Sequence, residues 1–155
     1  MTSCLIKSIT LHPGDVVLGE RGDTLSTLLG SCVSIILTDP RRTVGVMSHV
    51  VHACTGRVGA NTTAFGDVAM SAMTQLLLDR GIQARMCEAY VFGGGNMFPQ
   101  LKVDLTVGDD NIAWAMRALQ SEGIKVQSVD VGGSAYRRLQ WTVGPEAPRV
   151  VAVPM

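Results

Sequence analysis

A unit of helix, strand and glycine turn occurs twice in this chain, and that duplication is what most restricts its fold. Gly66-Asp67 opens a stretch that closes on Gly81-Ile82, and Gly108-Asp109 opens one that closes on Gly123-Ile124, with the two units 42 positions apart. Ala69, Met73, Leu76 and Leu77 in the first, and Ile112, Ala115, Met116 and Leu119 in the second, recur at helical spacing. Each has an aspartate near its start and a glycine placed as a left-handed C-terminal cap. After each glycine the period shortens to two. Ile82, Ala84 and Met86 alternate with polar residues, as do Ile124 and Val126, which predicts strands running into Gly93-Gly94-Gly95 and Gly132-Gly133.

Most of the remainder reads as strand. Residues 33–38, 43–51, 137–143 and 149–153 are rich in Val, Ile and Thr, and 144–148 supply a turn. The expected architecture is a single-domain layered α/β sandwich over residues 1–155, a mixed β-sheet packed by two main helices. Residues 55–65 are small and polar without periodicity, which predicts a surface loop beside a site. With 46% hydrophobic and 17% charged residues, the chain has the apolar content to fold alone.

Lys and Arg number 13, as do Asp and Glu, so no bulk charge draws the chain to nucleic acid or anionic lipid. The longest apolar runs are strand-sized, and the expectation is a cytoplasmic protein without membrane insertion. Cys4, Cys32, Cys54 and Cys87 are then expected as free thiols.

Cys32 stands where the Gly30-Ser31 turn meets a β-branched run. A nucleophilic thiol needs a base, and His49 lies at the end of the strand predicted to pair with 33–38 through a turn at 39–42. With Pro40 and Arg41 at the tip, counting outwards sets Cys32 opposite His49, within cross-strand reach. Gly30 and Ser31 leave backbone amides free to point at a reacting oxygen, that of Cys32 foremost. Hydroxyls at Ser26 and Thr27 are candidates to hold the imidazole tautomer. Gly94 and Gly95, with Asn96, Met97 and Phe98, allow close approach of an extended substrate side chain.

Other readings compete for these residues. Cys32 could be a small core residue and His49 a satisfied core histidine. The triple glycine could be an ordinary tight turn; it matches neither dinucleotide nor P-loop patterns. His49, His52 and Cys54 carry metal-ligand side chains, with Cys87 as a distant fourth, although on a continuous strand His49 and His52 face opposite ways. No metal or cofactor is expected.

In order along nearly the whole chain, LLGSCVSIILTDP, GVMSHVV, GDVAM, VFGGGNMF, VGDDN and DVGGSAYRR resemble the CheD-type chemoreceptor glutamine deamidases. The resemblance implies an α/β sandwich with a Cys-His-hydroxyl triad: Cys32 as nucleophile, His49 as general base, and the hydroxyl six positions before the cysteine. That position holds Ser26 where the family has threonine, so Ser26 takes the orienting role with Thr27 as substitute. Implied substrates are glutamines on the cytoplasmic helices of methyl-accepting chemotaxis receptors, deamidated to glutamate through a thioester, with methylesterase action requiring the same parts. A CheC-type phosphatase is an implied partner. The alternative is a catalytically weak module that docks on receptors or on such a phosphatase.

Overall fold

The computed structural model describes residues 5–53, 62–102 and 105–154. In chain order it contains β1 (Ser8–Thr10), β2 (Val16–Glu20), β3 (Thr24–Leu29), β4 (Val33–Thr38), β5 (Val44–Ser48), α1 (Gly66–Leu78), β6 (Glu88–Gly93), α2 (Val107–Ser121), β7 (Lys125–Val131), β8 (Tyr136–Thr142) and β9 (Arg149–Val153). The strands form two mixed sheets rather than one, ordered β1-β3-β8-β9 and β2-β5-β4-β6-β7. Both helices cover the outer face of the five-stranded sheet, giving a layered α/β sandwich of sheet, sheet and helices.

Side-chain alternation along β4 shows how the central sheet serves two cores. Val33, Ile35 and Leu37 point into the cluster with Ala69, Met73 and Leu77 of α1 and Ala115 and Leu119 of α2. Ile36 points the other way, as does Cys32 just before the strand, into the cluster with Leu25, Leu29, Leu139 and Trp141 of the four-stranded sheet. The strand is therefore buried along its whole length, which is why 33–38 is β-branched or apolar at every position but Ser34.

The repeated units have matching ends. Gly81 and Gly123 both take positive φ, and the following N–H of Ile82 or Ile124 donates back to Leu77 or Leu119, the closure expected of a left-handed cap. At the start of α2, the Thr106 hydroxyl accepts from the Asp109 N–H while the Asp109 carboxylate accepts from the Thr106 N–H, a reciprocal box that fixes where the helix begins. The segment after α1 departs from expectation. Residues Ala84–Met86 form a short 3-10 turn, with Met86 exposed, and the strand begins only at Glu88. Their alternation was too short to separate a strand from a turn; the real signal is the buried run in β6.

The β4–β5 connection is centred later than the sequence count placed it. The Asp39 carboxylate accepts from the Thr43 N–H, the Thr43 hydroxyl and the Val44 N–H, and Arg42 takes a positive φ. This side-chain-organised turn pairs Ile36 with Met47 and Val33 with Val50. Cys32 and His49 are consequently diagonal neighbours across the ladder, not directly opposite. Both still project into the space between the sheets, a separation that long side chains span.

Candidate active site

Strand parity decides which hydroxyl meets the histidine. In β3, Leu25, Thr27 and Leu29 are buried, while Ser26 and Leu28 lie on the outer face. Thr27 Oγ1 lies 2.7 Å from His49 Nδ1 and 2.9 Å from the Leu11 carbonyl oxygen. That carbonyl can only accept, so the threonine hydroxyl donates to Leu11 and accepts from Nδ1–H. Nε2 is then left with its lone pair. Ser26 Oγ instead lies 3.4 Å from Thr10 Oγ1, beside Arg138 and Gln140 in an outer-face depression. The hydroxyl in contact with the imidazole is thus that of Thr27, five positions before the cysteine, and not the expected Ser26.

The histidine is fixed by its backbone as well. Its N–H donates to the Asp15 carbonyl and its carbonyl accepts from the Gly14 N–H. One residue earlier the Ser48 side chain enters the β4–β5 ladder, accepting from the Ile35 N–H and donating to the Ile35 carbonyl. His49 itself is almost fully buried. That burial lowers its basicity below the ordinary 6.5, the Asp15 carboxylate opposing and His12 adding to the effect. Burial likewise raises the half-buried Cys32 thiol above its ordinary 9.0. Both shifts favour the uncharged thiol and the uncharged imidazole, a state in which Nε2 can accept a proton.

Opposite the cysteine runs the triple glycine. The Gly94 N–H donates to the Cys32 carbonyl and the Gly95 N–H to the Gly30 carbonyl. Gly93 has a φ of 107°, and a Cβ there would overlap the Cys32 carbonyl oxygen; only glycine lets the two chains approach this closely. Gly94 is packed away from the opening, where a Cβ would strike Ile112 of α2. Ser31, Gly95, Asn96, Phe98 and Tyr136 line a cleft of about 280 Å³ beside the start of α2. The predicted cleft residues therefore separate: Ser31, Gly95, Asn96 and Phe98 face it, whereas Gly30 and Gly94 support it from behind. Arg137 braces this wall, donating to the carbonyls of Gly93 and Gly132 and to Asp130. Its place in an alternating strand gave no hint of that clamp.

A metal set built on HVVHAC does not come together with Cys87. That thiol precedes β6 at the end paired with Thr38, whereas His49 lies at the other end of β4, beside the Val33–Val50 bridge; the intervening strand separates them by about 17 Å. His52 is exposed, with its ring against Phe65. Cys54, Cys4 and most of the predicted surface loop fall outside the described residues. Among those described, Cys32 and Cys87 are free thiols.

Comparison with known proteins decides the family. A family model described as "CheD chemotactic sensory transduction" matches residues 53–146. The chain belongs to the CheD family. A protein of Albidiferax ferrireducens, named "Probable chemoreceptor glutamine deamidase CheD 2", is 36% identical over 87% of this chain and 81% of its own. CheD proteins with the corresponding name from Caulobacter vibrioides (36% identity, 88% of this chain and 74% of theirs) and Rhizobium leguminosarum bv. trifolii (35%, 95% and 81%) are similarly related. The matched span of the family model begins after His49, so the reading of Cys32, His49 and Thr27 rests on their geometry. No helix among the described residues is long and apolar enough to cross a membrane.

Proposed function

We propose that this protein deamidates glutamine side chains of chemoreceptors, with Cys32 as nucleophile, His49 as base and acid, and Thr27 orienting the imidazole. The observation that carries the reading is the Thr27–His49 hydrogen bond, because a buried hydroxyl that accepts from Nδ1–H leaves the Nε2 lone pair free to serve Cys32, the diagonal neighbour across the ladder. The names of the CheD relatives support the choice of substrate.

As the thiol attacks the carboxamide carbon, its proton passes to His49 Nε2 and the amide oxygen becomes an oxyanion. Among the described residues, the Cys32 N–H has no hydrogen-bond partner, which suits it as the donor to that oxygen. Collapse of the adduct breaks the carbon–nitrogen bond as His49 returns the proton to the departing ammonia. Water, deprotonated by the same nitrogen, attacks the thioester, and the C–S bond breaks to release glutamate and the thiol. The neutral resting pair makes proton transfer accompany attack instead of preceding it.

Each turnover converts a neutral side chain to an anionic one. On a receptor helix bundle that charge repels its neighbours and shifts the signalling equilibrium. Methylesterase action uses the same acyl chemistry, and it, like a CheC-type phosphatase partner, is supported by family resemblance alone. A catalytically weak docking module would not require an ordered histidine, and the buried Thr27–His49 contact favours the enzyme reading over it. Ammonia release from a glutamine-bearing receptor fragment tests the proposal: wild type produces it, Cys32→Ala does not. Equal release, or none from either, defeats the reading.

A further inference from the structure

α2 reaches into the active-site turn through one side chain. Asn111, only 1% exposed, donates from Nδ2 to the Ser31 carbonyl at 3.0 Å and to the Val51 carbonyl at 3.0 Å. Both acceptors lie just beyond the Val33–Val50 bridge, where β4 and β5 cease to pair. The N–H groups of Val51 and His52 have turned to Ala64, so the asparagine amide takes up carbonyls that the ladder no longer serves. Oδ1 is buried with no partner among the described residues. An unpaired buried carbonyl is costly, and the fold carries that cost where Nδ2 grips the two segments bearing the cysteine and the histidine.

The Ser31 carbonyl and the Cys32 N–H belong to one planar trans peptide, in which the two groups point in opposite directions. Holding the carbonyl towards α2 therefore turns the N–H away from the helix layer, to the side of the five-stranded sheet on which the Cys32 side chain packs.

We infer that Asn111 is a positioning residue that fixes the direction of the Ser31–Cys32 peptide and so aims the Cys32 N–H at the oxyanion. This rests on the acyl-transfer reading of the site. Asn111 touches no reacting atom; it acts through the peptide plane, and without it the plane can rotate while thiol and imidazole stay in place.

Two probes of Cys32 separate that role from general support. In acylation by p-nitrophenyl acetate, an S–C bond forms, the ester C–O bond breaks through an oxyanion, p-nitrophenolate leaves and the thiol proton goes to His49. Iodoacetamide forms its S–C bond at a saturated carbon, iodide leaves and no oxyanion arises. In the full-length Asn111→Ala protein, acylation falls about 10–100-fold while alkylation stays within about twofold of wild type, the scale set by losing alignment of an oxyanion donor. Asn111→Asp, close in volume but presenting acceptors to both carbonyls, shows the same split if the alanine protein is poorly folded, with thermal melting recorded for both. Parallel loss of acylation and alkylation in melting-competent variants, or no loss of either, overturns the inference. Because both reagents act without a receptor, absence of ammonia release by wild type would defeat the deamidase reading separately.

Discussion

Thr27 Oγ1 and His49 Nδ1, on different sheets, meet at 2.7 Å inside the layer between them. The contact ties catalytic geometry to sheet packing: what holds β3 over β5 also holds the imidazole tautomer. Thr27→Val keeps the shape and removes the hydroxyl, leaving the Leu11 carbonyl and Nδ1 unpaired. We expect kcat to fall about 100-fold and stability by about 1–3 kcal/mol, whereas Ser26→Ala, on the outer face, leaves activity within about twofold of wild type. Steady-state kinetics and urea unfolding of the two variants check this, and the opposite ranking would restore Ser26 to the site.

The pH profile of kcat/KM follows from the two burial shifts. His49 must be unprotonated to accept the thiol proton, and its basicity is lowered, so the acid limb lies below the ordinary 6.5. The thiol is raised, so the alkaline limb lies above 9.0. A broad neutral plateau results, its limbs belonging to the coupled pair. The same His49 shift makes the folded state lose stability as pH falls below 6.5, because the unfolded chain takes up the proton more readily. A narrow bell centred on the ordinary histidine value would contradict the neutral resting pair.

Alkylation distinguishes the thiols. Cys87 is buried, and burial with the nearby Asp39 charge pushes it up to about 11; Cys32 is half-exposed beside a base. Peptide mapping after limited iodoacetamide treatment at neutral pH should show Cys32 modified at least about 10-fold faster than Cys87, and faster than Cys54. Equal labelling would mean that His49 does not assist the thiol.

Gly93→Ala combines left-handed backbone strain with overlap on the Cys32 carbonyl. The cost is about 1–3 kcal/mol for the strain, and relief must displace the strand end that carries the nucleophile. Activity should therefore fall further than stability, by about 100-fold for a displacement near 1 Å. Thermal melting set against kcat tests this; an intact kcat would show that the close approach is incidental.

Sequence alone indicated the layered α/β class, because the two helix units carry their own start and stop signals and the β4 run fits a buried strand. It did not indicate the second sheet. β1, β2 and β3 are short, and Leu25-Ser26-Thr27-Leu28-Leu29 has two hydroxyls and three leucines whose alternation can be assigned in either phase. Only partners in β8, with Leu25 opposite Trp141 and Thr27 opposite Leu139, select the phase that turns Thr27 inward. The β4–β5 hairpin was legible from a count, but the register that makes Cys32 and His49 diagonal rather than opposite depended on the Asp39 side chain shifting the turn. Asn111 was beyond such reading: an asparagine one turn into an amphipathic helix looks like surface, and its two acceptors are 80 and 60 residues away.

The central claim is that Cys32 attacks a receptor amide. Mass spectrometry of the cytoplasmic fragment of a chemoreceptor, incubated in parallel with wild type and with Cys32→Ala, tests it directly at each glutamine. Wild type is expected to convert defined glutamines to glutamate, and the variant none. Glutamines left intact by wild-type protein that binds the fragment, or converted equally by the variant, would contradict it.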